Sequence, residues 1–189
     1  MSEKKDNASY QSPYQQQKAN KPLLDDFICK ILDGDMQKRA LDFVAYLCDN
    51  KMKPAWTLTN EWTSACKSKA ICNIVLVHDE LNKTIDRLAK IWGDRRWRVK
   101  LHLNHINLYE EQIISAGLQG FVLDNVGYCR NCKGSQNTDR SCRKQIMVLG
   151  KEIKNFCCWP LIWAYDPDDE AVESIKKLLE LEKQARAGK

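Results

Sequence analysis

The sequence predicts an α+β fold: an antiparallel sheet with helices packed on it, and a cysteine-rich loop between the penultimate helix and a C-terminal helix. The first observation is that apolar residues recur at helical spacing in several segments, such as 36–48. The second is that apolar residues alternate with charged and polar ones over 97–103, which is typical of a strand with one wet face. The third is that strand-like segments do not alternate regularly with helices, which favours an antiparallel sheet.

The chain has 189 residues, a length that predicts one domain. Residues 1–21 are polar and predict a disordered tail, so the single α+β domain is expected over 22–189, with 127–160 as a cysteine-rich metal-binding subregion. The chain contains no secretion signal and no apolar run of membrane-spanning length, which predicts a cytoplasmic protein. The net charge of +5 permits a nucleic-acid partner but does not require one.

The N-terminal half is expected to begin with two helices. Apolar residues over 24–31 predict a short first helix that ends near Gly34, and those over 36–48 predict a longer second helix that ends before Pro54. Residues 56–77 are rich in aromatic and β-branched side chains. They predict two or three strands, with a hairpin turn at 67–69.

The C-terminal half is expected to mix helices and strands. Helical spacing predicts helices over 81–92 and 108–126, the second divided by Gly117 and Gly120. Between these helices lies the alternating strand, and segments 145–150 and 161–165 predict further strands. In the last helix, Asp166 is expected to be the N-cap and Pro167 the first helical residue.

Five of the nine cysteines lie within thirty residues and predict a structural zinc site. Cys129 and Cys132 form a C-x2-C motif, which supplies two thiolates from one tight loop. Cys142 and Cys157 follow and would complete a tetrahedron, with Cys158 as the substitute for Cys157. Adjacent residues of an extended chain point in opposite directions, so only one of the last two is expected to bind the ion.

Two other interpretations of these cysteines remain open. One is that they are unrelated buried or surface thiols, although the five basic residues that surround them would stabilise thiolates and thus favour the zinc site. Alternatively, Cys129 and Cys132 could exchange a disulfide. A redox-active C-x2-C motif normally opens a helix, however, and this one follows a predicted helix.

Weaker candidates for a binding site are aromatic and basic residues of the predicted sheet. Trp56 and Trp62 could line a small-molecule pocket, although aromatic residues at such positions more often belong to a core. Arg96 and Arg98 interleave with tryptophans, a pattern found in surfaces that bind single-stranded nucleic acid. The same two arginines are also expected on a solvated basic face.

The common catalytic and nucleotide-binding motifs are absent from the sequence. His102 and His105 are three positions apart on a strand, so they face opposite sides and are not expected to share a metal ion. The sequence therefore favours a non-catalytic binding or regulatory domain with a structural zinc ion, which recognises a small molecule or a protein. The alternatives are a thiol–disulfide oxidoreductase and a basic nucleic-acid-binding module.

Several short motifs match a known group of sequences. The matching positions are Trp56, Asn60 and Trp62, the segments 69–77, 97–99, 109–111 and 125–129, Cys132, the segment 149–152 with a following cysteine, and the segments 167–168 and 175–178. From Phe43 onward the chain thus resembles small uncharacterised bacterial proteins that are similar to the YjbR/CyaY-like α+β folds. The resemblance implies helices packed against an antiparallel sheet, and it implies no activity.

Overall fold

The computed structural model describes residues 11–77, 94–127, 144–156 and 162–188. Within these ranges the structure contains six α-helices and seven strands. The helices are α1 (Pro13–Asn20), α2 (Leu24–Ile31), α3 (Gly34–Asp49), α4 (Glu110–Ser115), α5 (Gln119–Asp124) and α6 (Asp169–Ala187). The strands are β1 (Ala55–Leu58), β2 (Glu61–Cys66), β3 (Lys69–Leu76), β4 (Trp97–Leu101), β5 (Lys144–Val148), β6 (Lys151–Phe156) and β7 (Ile162–Tyr165).

The main sheet has five antiparallel strands in the order β1-β2-β3-β4-β7, and β5 and β6 form a separate antiparallel hairpin. This architecture confirms the predicted α+β class. The predicted helix over 81–92 lies outside the described residues, and so do all five cysteines of the predicted cysteine-rich loop. Of the subregion 127–160, the structure describes Gly127 and residues 144–156, which form β5 and β6.

The hydrophobic core lies on one face of the main sheet. Four residues that are paired across neighbouring strands, Trp62, Ile74, Val99 and Ala164, form a row along this face, and each is about 1% exposed or less. Apolar residues of α2, α3 and α6 belong to the same buried cluster. Each of these helices therefore buries its apolar side in the core, as its sequence periodicity predicts.

The β2–β3 hairpin and the division of the 108–126 segment confirm two sequence predictions. Lys67 and Ser68 form a two-residue turn with φ of 50° and 62°, the conformation that matches the twist of a hairpin. Gly117, with φ of 70°, separates α4 from α5. Gly120 lies inside α5 and does not interrupt it.

The structure differs from the predicted disordered tail at α1. Ser12 and Gln15 form a capping box at its N-terminus, and the Gln17 side chain bonds to the β1–β2 turn. The helix buries none of its residues. Hydrophobicity, from which the tail was predicted, therefore carries no signal for this polar helix.

The cap of α6 also differs from the prediction. Asp168 is the N-cap, and its side chain accepts a hydrogen bond from the Ala171 N–H. Asp166 instead has φ of 40°, and its carboxylate accepts hydrogen bonds from the Arg96 and Trp97 N–H groups. Asp166 thus joins the end of β7 to the start of β4, a long-range role that the local sequence pattern does not indicate.

Candidate functional site

The face of the main sheet opposite the core carries most of the sheet's polar side chains. The strand register places Thr63, Asn73, Lys100 and Trp163 in one cross-strand row, and Glu61, Val75, Arg98 and Tyr165 in the next. We call these eight residues the polar face. Directly paired residues project to the same side of a sheet, so the two rows form one continuous surface.

None of the residues of the polar face is fully exposed to solvent: each is buried or only partly exposed. Arg98 is 9% exposed, and the side chains of Lys100 and Glu61 are 13% and 16% exposed. The prediction that β4 has one wet face is therefore wrong. The alternation of residue types correctly separates the two faces, but polarity does not show that the second face is in water.

Side chains of the polar face are joined by hydrogen bonds. Lys100 Nζ lies 2.9 Å from Glu61 Oε2, and Asn73 Nδ2 donates to Thr63 Oγ1 at 2.7 Å. His102 Nε2, at the end of β4, bonds to Asn73 Oδ1. Because an amide oxygen only accepts, His102 Nε2 carries the proton in this arrangement.

Burial lowers the pKa of both basic side chains in this network, Lys100 and His102. The pKa of Lys100 falls because the side chain is desolvated, and the adjacent Glu61 carboxylate offsets part of this effect. The pKa of His102 falls because of burial and then because of the positive charges of Lys100 and Arg186. His102 is therefore neutral near pH 7 and acts as a hydrogen-bond donor to Asn73.

A cavity of about 390 Å³ opens beside β7 at one end of the polar face. We call it the Arg–aromatic cavity. The Arg95 guanidinium lies 4.1 Å from the centre of the Tyr165 ring. The Arg98 guanidinium lies 4.7 Å from the centre of the Trp163 ring, and Arg98 Nη1 donates to the Tyr165 hydroxyl at 3.2 Å. The lining residues are Arg95, Asp124, Asn125, Val126, Gly127, Trp163 and Tyr165.

The chain after α5 forms one wall of this cavity. Val126 bridges to Ile162 in antiparallel fashion, and the Trp163 N–H donates to the Asn125 carbonyl at 2.8 Å. Gly127 lies so close to the indole of Trp163 that a Cβ atom there would be 2.6 Å from Nε1. Only glycine permits this approach without displacement of the ring.

Of the weaker sequence candidates, only Arg98 belongs to this site. The Arg96 guanidinium donates to the Ile31 carbonyl at the end of α2. Trp62 is 1% exposed in the core and donates its indole N–H to the Pro22 carbonyl. Trp56 contacts α1, where its indole N–H donates to Gln17 Oε1. The structure therefore does not bring Trp56, Trp62 and Arg96 together with Arg98.

The basic residues over 95–100 do not form one exposed row. Arg96 turns to α2, Arg98 stacks behind the aromatic rings, and Lys100 pairs with Glu61. A surface that binds a nucleic-acid backbone presents its cations to solvent along one groove. Within the described residues, this arrangement gives the nucleic-acid alternative no geometric support.

All five cysteines of the predicted zinc site lie outside the described residues. Among the residues that are described, no group of three or more His, Cys, Asp or Glu side chains is arranged to hold a metal ion. Cys29, Cys48, Cys66 and Cys72 are free thiols, and burial raises the pKa of Cys72 to about 12. Cys72 is thus an inert core residue rather than a nucleophile.

A second polar cluster, which sequence reasoning missed, ties α6 to the sheet. The Glu182 carboxylate is 0% exposed and accepts hydrogen bonds from His105, Tyr109 and Arg186. Arg186 in turn donates to four main-chain carbonyl groups. The sequence does contain a signal for this cluster: Glu182 and Arg186 stand four positions apart on the side of the helix that is otherwise apolar. Because its groups are paired within the protein, we interpret this cluster as structural.

Comparisons with family models, with curated proteins and with solved structures found no match for the chain. Of the helices in the described ranges, none combines the length and the apolar character that crossing a membrane demands. The functional argument therefore depends on the site itself.

Proposed function

We propose that the protein is a non-catalytic binding domain that recognises a small molecule or a protein segment at the Arg–aromatic cavity. We further propose that a structural zinc ion fixes the cysteine segment beside that cavity. The observation that carries the proposal is the composition of the cavity: the Arg95 guanidinium and two aromatic rings line one concave surface, just before the chain enters the C-x2-C motif. A second guanidinium, that of Arg98, packs against the same rings.

The cavity has the features of a ligand site rather than of a packing defect. Its volume of about 390 Å³ lies within the range of small-molecule pockets, roughly 300–1,000 Å³. Its walls combine flat aromatic surface with a few convergent polar groups, the composition that fixes ligand orientation. Arg95 and Tyr165 are both partly exposed, so a ligand in the cavity could reach them.

Two strand pairings support the zinc part of the proposal. Lys144 pairs with Phe156, and these residues lie two positions after Cys142 and one position before Cys157. The hairpin thus pairs two residues that adjoin Cys142 and Cys157 in the sequence, although these two predicted ligands are fifteen positions apart. Because loop-closure entropy opposes the gathering of distant ligands, this pairing lowers the entropy cost of assembling the site.

The bridge between Val126 and Ile162 supports the same proposal. Cys129 follows Val126 by three positions, and Cys158 precedes Ile162 by four. The two ends of the cysteine segment therefore leave the sheet from neighbouring residues. A bound zinc ion would join them beside the cavity and could order the adjoining chain.

Metal analysis of the full chain, purified without added zinc, tests the metal site. We expect about one zinc ion per chain, and close to none in the Cys129→Ser and Cys132→Ser variants. Cys29→Ser and Cys48→Ser, which alter exposed thiols far along the chain, are the matched controls and should keep the metal.

The last ligand is identified by comparing Cys157→Ser with Cys158→Ser. One variant should lose zinc and the other should retain it, because adjacent residues rarely bind one ion. A wild-type protein without metal would end the zinc proposal. If Cys129 and Cys132 formed a reversible disulfide that turned over a dithiol substrate, the protein would instead be an oxidoreductase.

We also propose a cytoplasmic location. The exposed free thiols of Cys29 and Cys48 support this proposal, because proteins of reducing compartments rarely form disulfides. Fractionation of cells that express a tagged chain tests this location, and recovery of the protein outside the cytoplasm would contradict it.

A further inference from the structure

We infer that the Arg–aromatic cavity binds a planar organic monoanion, with aromatic carboxylates as the ligand class. This inference rests on the proposed binding function, and it adds the chemistry of the ligand. It is carried by the shape of the walls, by the local charge and by the rigidity of the cavity.

The walls favour a flat ligand. The Arg95 guanidinium carbon lies 4.1 Å from the centre of the Tyr165 ring, and the Arg98 guanidinium carbon lies 4.7 Å from the centre of the Trp163 ring. Of these two guanidinium groups, that of Arg95 lines the cavity, and a guanidinium presents its N–H groups as a planar fork. Such a planar fork matches the two oxygens of a carboxylate.

The local charge favours one negative charge on the ligand. Arg95 lines the cavity and Arg98 lies directly behind its aromatic wall, whereas Asp124 contributes a carboxylate to the lining. Among the described residues at the cavity, these two positive charges and one negative charge leave a net charge of +1. A monoanion neutralises this charge, whereas a dianion would leave an excess negative charge near Asp124.

The cavity is held in shape before a ligand binds. The contact between Gly127 and the indole of Trp163 fixes one wall, and the bond from the Trp163 N–H to the Asn125 carbonyl fixes the strand behind it. The Tyr165 hydroxyl accepts a hydrogen bond from Arg98. A preformed site loses little conformational entropy on binding, which favours small rigid ligands.

Isothermal titration calorimetry of the full chain with 2-naphthoate tests the inference, and 2-naphthalenemethanol serves as the uncharged probe of the same shape. We expect saturable binding of the carboxylate with at least tenfold higher affinity than the alcohol. Arg95→Met should weaken naphthoate binding at least tenfold. Asp124→Asn should strengthen it several-fold, because the substitution removes the opposing charge.

Lys30→Met, at an exposed position of α2, is the matched control for the loss of one positive charge and should leave the affinity unchanged. Urea unfolding of each variant separates lost binding from lost folding. If Arg95→Met unfolds, Asp124→Asn still decides the question, since Asp124 is exposed and its substitution should not disturb the core.

Equal affinity for the acid and the alcohol would overturn the inference and leave the proposed binding function standing. Absence of saturable naphthoate binding, or weaker binding by Asp124→Asn, would also overturn the inference. Zinc content measured on the same samples reports separately on the metal part of the proposed function. Failure of the ligand class and failure of the zinc site are therefore distinguishable.

Discussion

At the scale of single residues, Gly127 connects the fold to the candidate site. The backbone there passes against the face of the Trp163 indole, with space for a hydrogen atom but not for a methyl group. Trp163 in turn lies in the cross-strand row with Lys100 and stacks against Arg98. A displacement of Trp163 would therefore be transmitted to both the cavity wall and the sheet.

We expect Gly127→Ala to destabilise the protein by about 1–3 kcal/mol, the usual range for overpacking of a tightly packed site. The measurement is the free energy of unfolding in urea. Gly120→Ala is the control, since Gly120 lies in helix α5 with no atom within 4 Å of the added Cβ. That variant should gain about 0.5–1 kcal/mol. Equal stability of the two variants would show that the Gly127 contact is unimportant.

Glu182 is the buried charge on which α6 depends. Burial alone would raise the pKa of this carboxyl group, but hydrogen bonds from Arg186, His105 and Tyr109 outweigh burial, so the pKa lies below its usual value. A carboxyl group with a depressed folded-state pKa stabilises the fold at all pH values above its unfolded pKa, about 4.3. This contribution is lost as the pH falls through the folded-state pKa.

We expect Glu182→Gln to cost about 3–5 kcal/mol at pH 7, because it leaves the Arg186 charge buried and unpaired. The stability of the variant should also depend less on pH below about 4.3 than that of the wild type. Glu173→Gln on the same helix, whose side chain is 61% exposed, should change stability by less than about 1 kcal/mol. Thermal unfolding measured between acid and neutral pH checks both expectations.

At the scale of elements, the hydrogen bonds that join α1 to the sheet in the described structure are made by the Gln17 side chain. Gln17 donates to Asn60 Oδ1 at 2.5 Å and accepts hydrogen bonds from the Asn60 N–H and the Trp56 indole N–H. Tyr14 adds a ring contact with Trp56. An isolated eight-residue helix is marginal in water, so these contacts must supply most of the stability of α1.

We expect Gln17→Ala to release α1 while the rest of the domain stays folded. Hydrogen exchange should then be faster over 13–20, and the midpoint of global unfolding should stay within experimental error. Gln16→Ala, which alters a neighbouring exposed side chain, should leave exchange over 13–20 much less affected. Global unfolding of the Gln17 variant would contradict this independence.

The elements that the sequence predicts well are those whose apolar pattern is a direct consequence of burial. Helices α2 and α3 and strands β2, β3 and β4 bury one consistent face in the core, so their periodicity is visible in the sequence. Strands β5 and β7 lie within the predicted segments 145–150 and 161–165, to within one residue. Local patterns thus predict most elements, although the prediction of the N-cap of α6 was wrong by two residues.

What the sequence could not predict depends on contacts between distant residues. The bond from Asp166 to β4 spans about seventy positions, and α1 depends on Gln17 bonding to a turn more than forty positions away. The Arg–aromatic cavity combines Arg95, the segment 124–127 and β7, which no local motif joins. Strand register, which local patterns determine only weakly, decides which of these residues meet.

At the scale of the whole molecule, the described part of the chain already contains an extensive core. Its buried cluster joins residues of α2, α3, α6 and the main sheet. Because a core of this size stabilises a fold without metal, we expect a chelator to remove zinc without unfolding the domain. Hydrogen exchange should increase over 127–160, and far-UV circular dichroism should keep most of its amplitude. Loss of the helical signal on chelation would contradict this expectation.

The position of β7 in the sheet also bears on biosynthesis. Leu101 at the end of β4 pairs with Ile162, which the ribosome adds sixty-one residues later. At about 5–20 residues per second, the nascent chain carries an unpaired β4 edge for roughly 3–12 s. Stalled chains that end before Ile162 should consequently be digested by protease across β1–β4. Protection should begin only when β7 and α6 have left the exit tunnel.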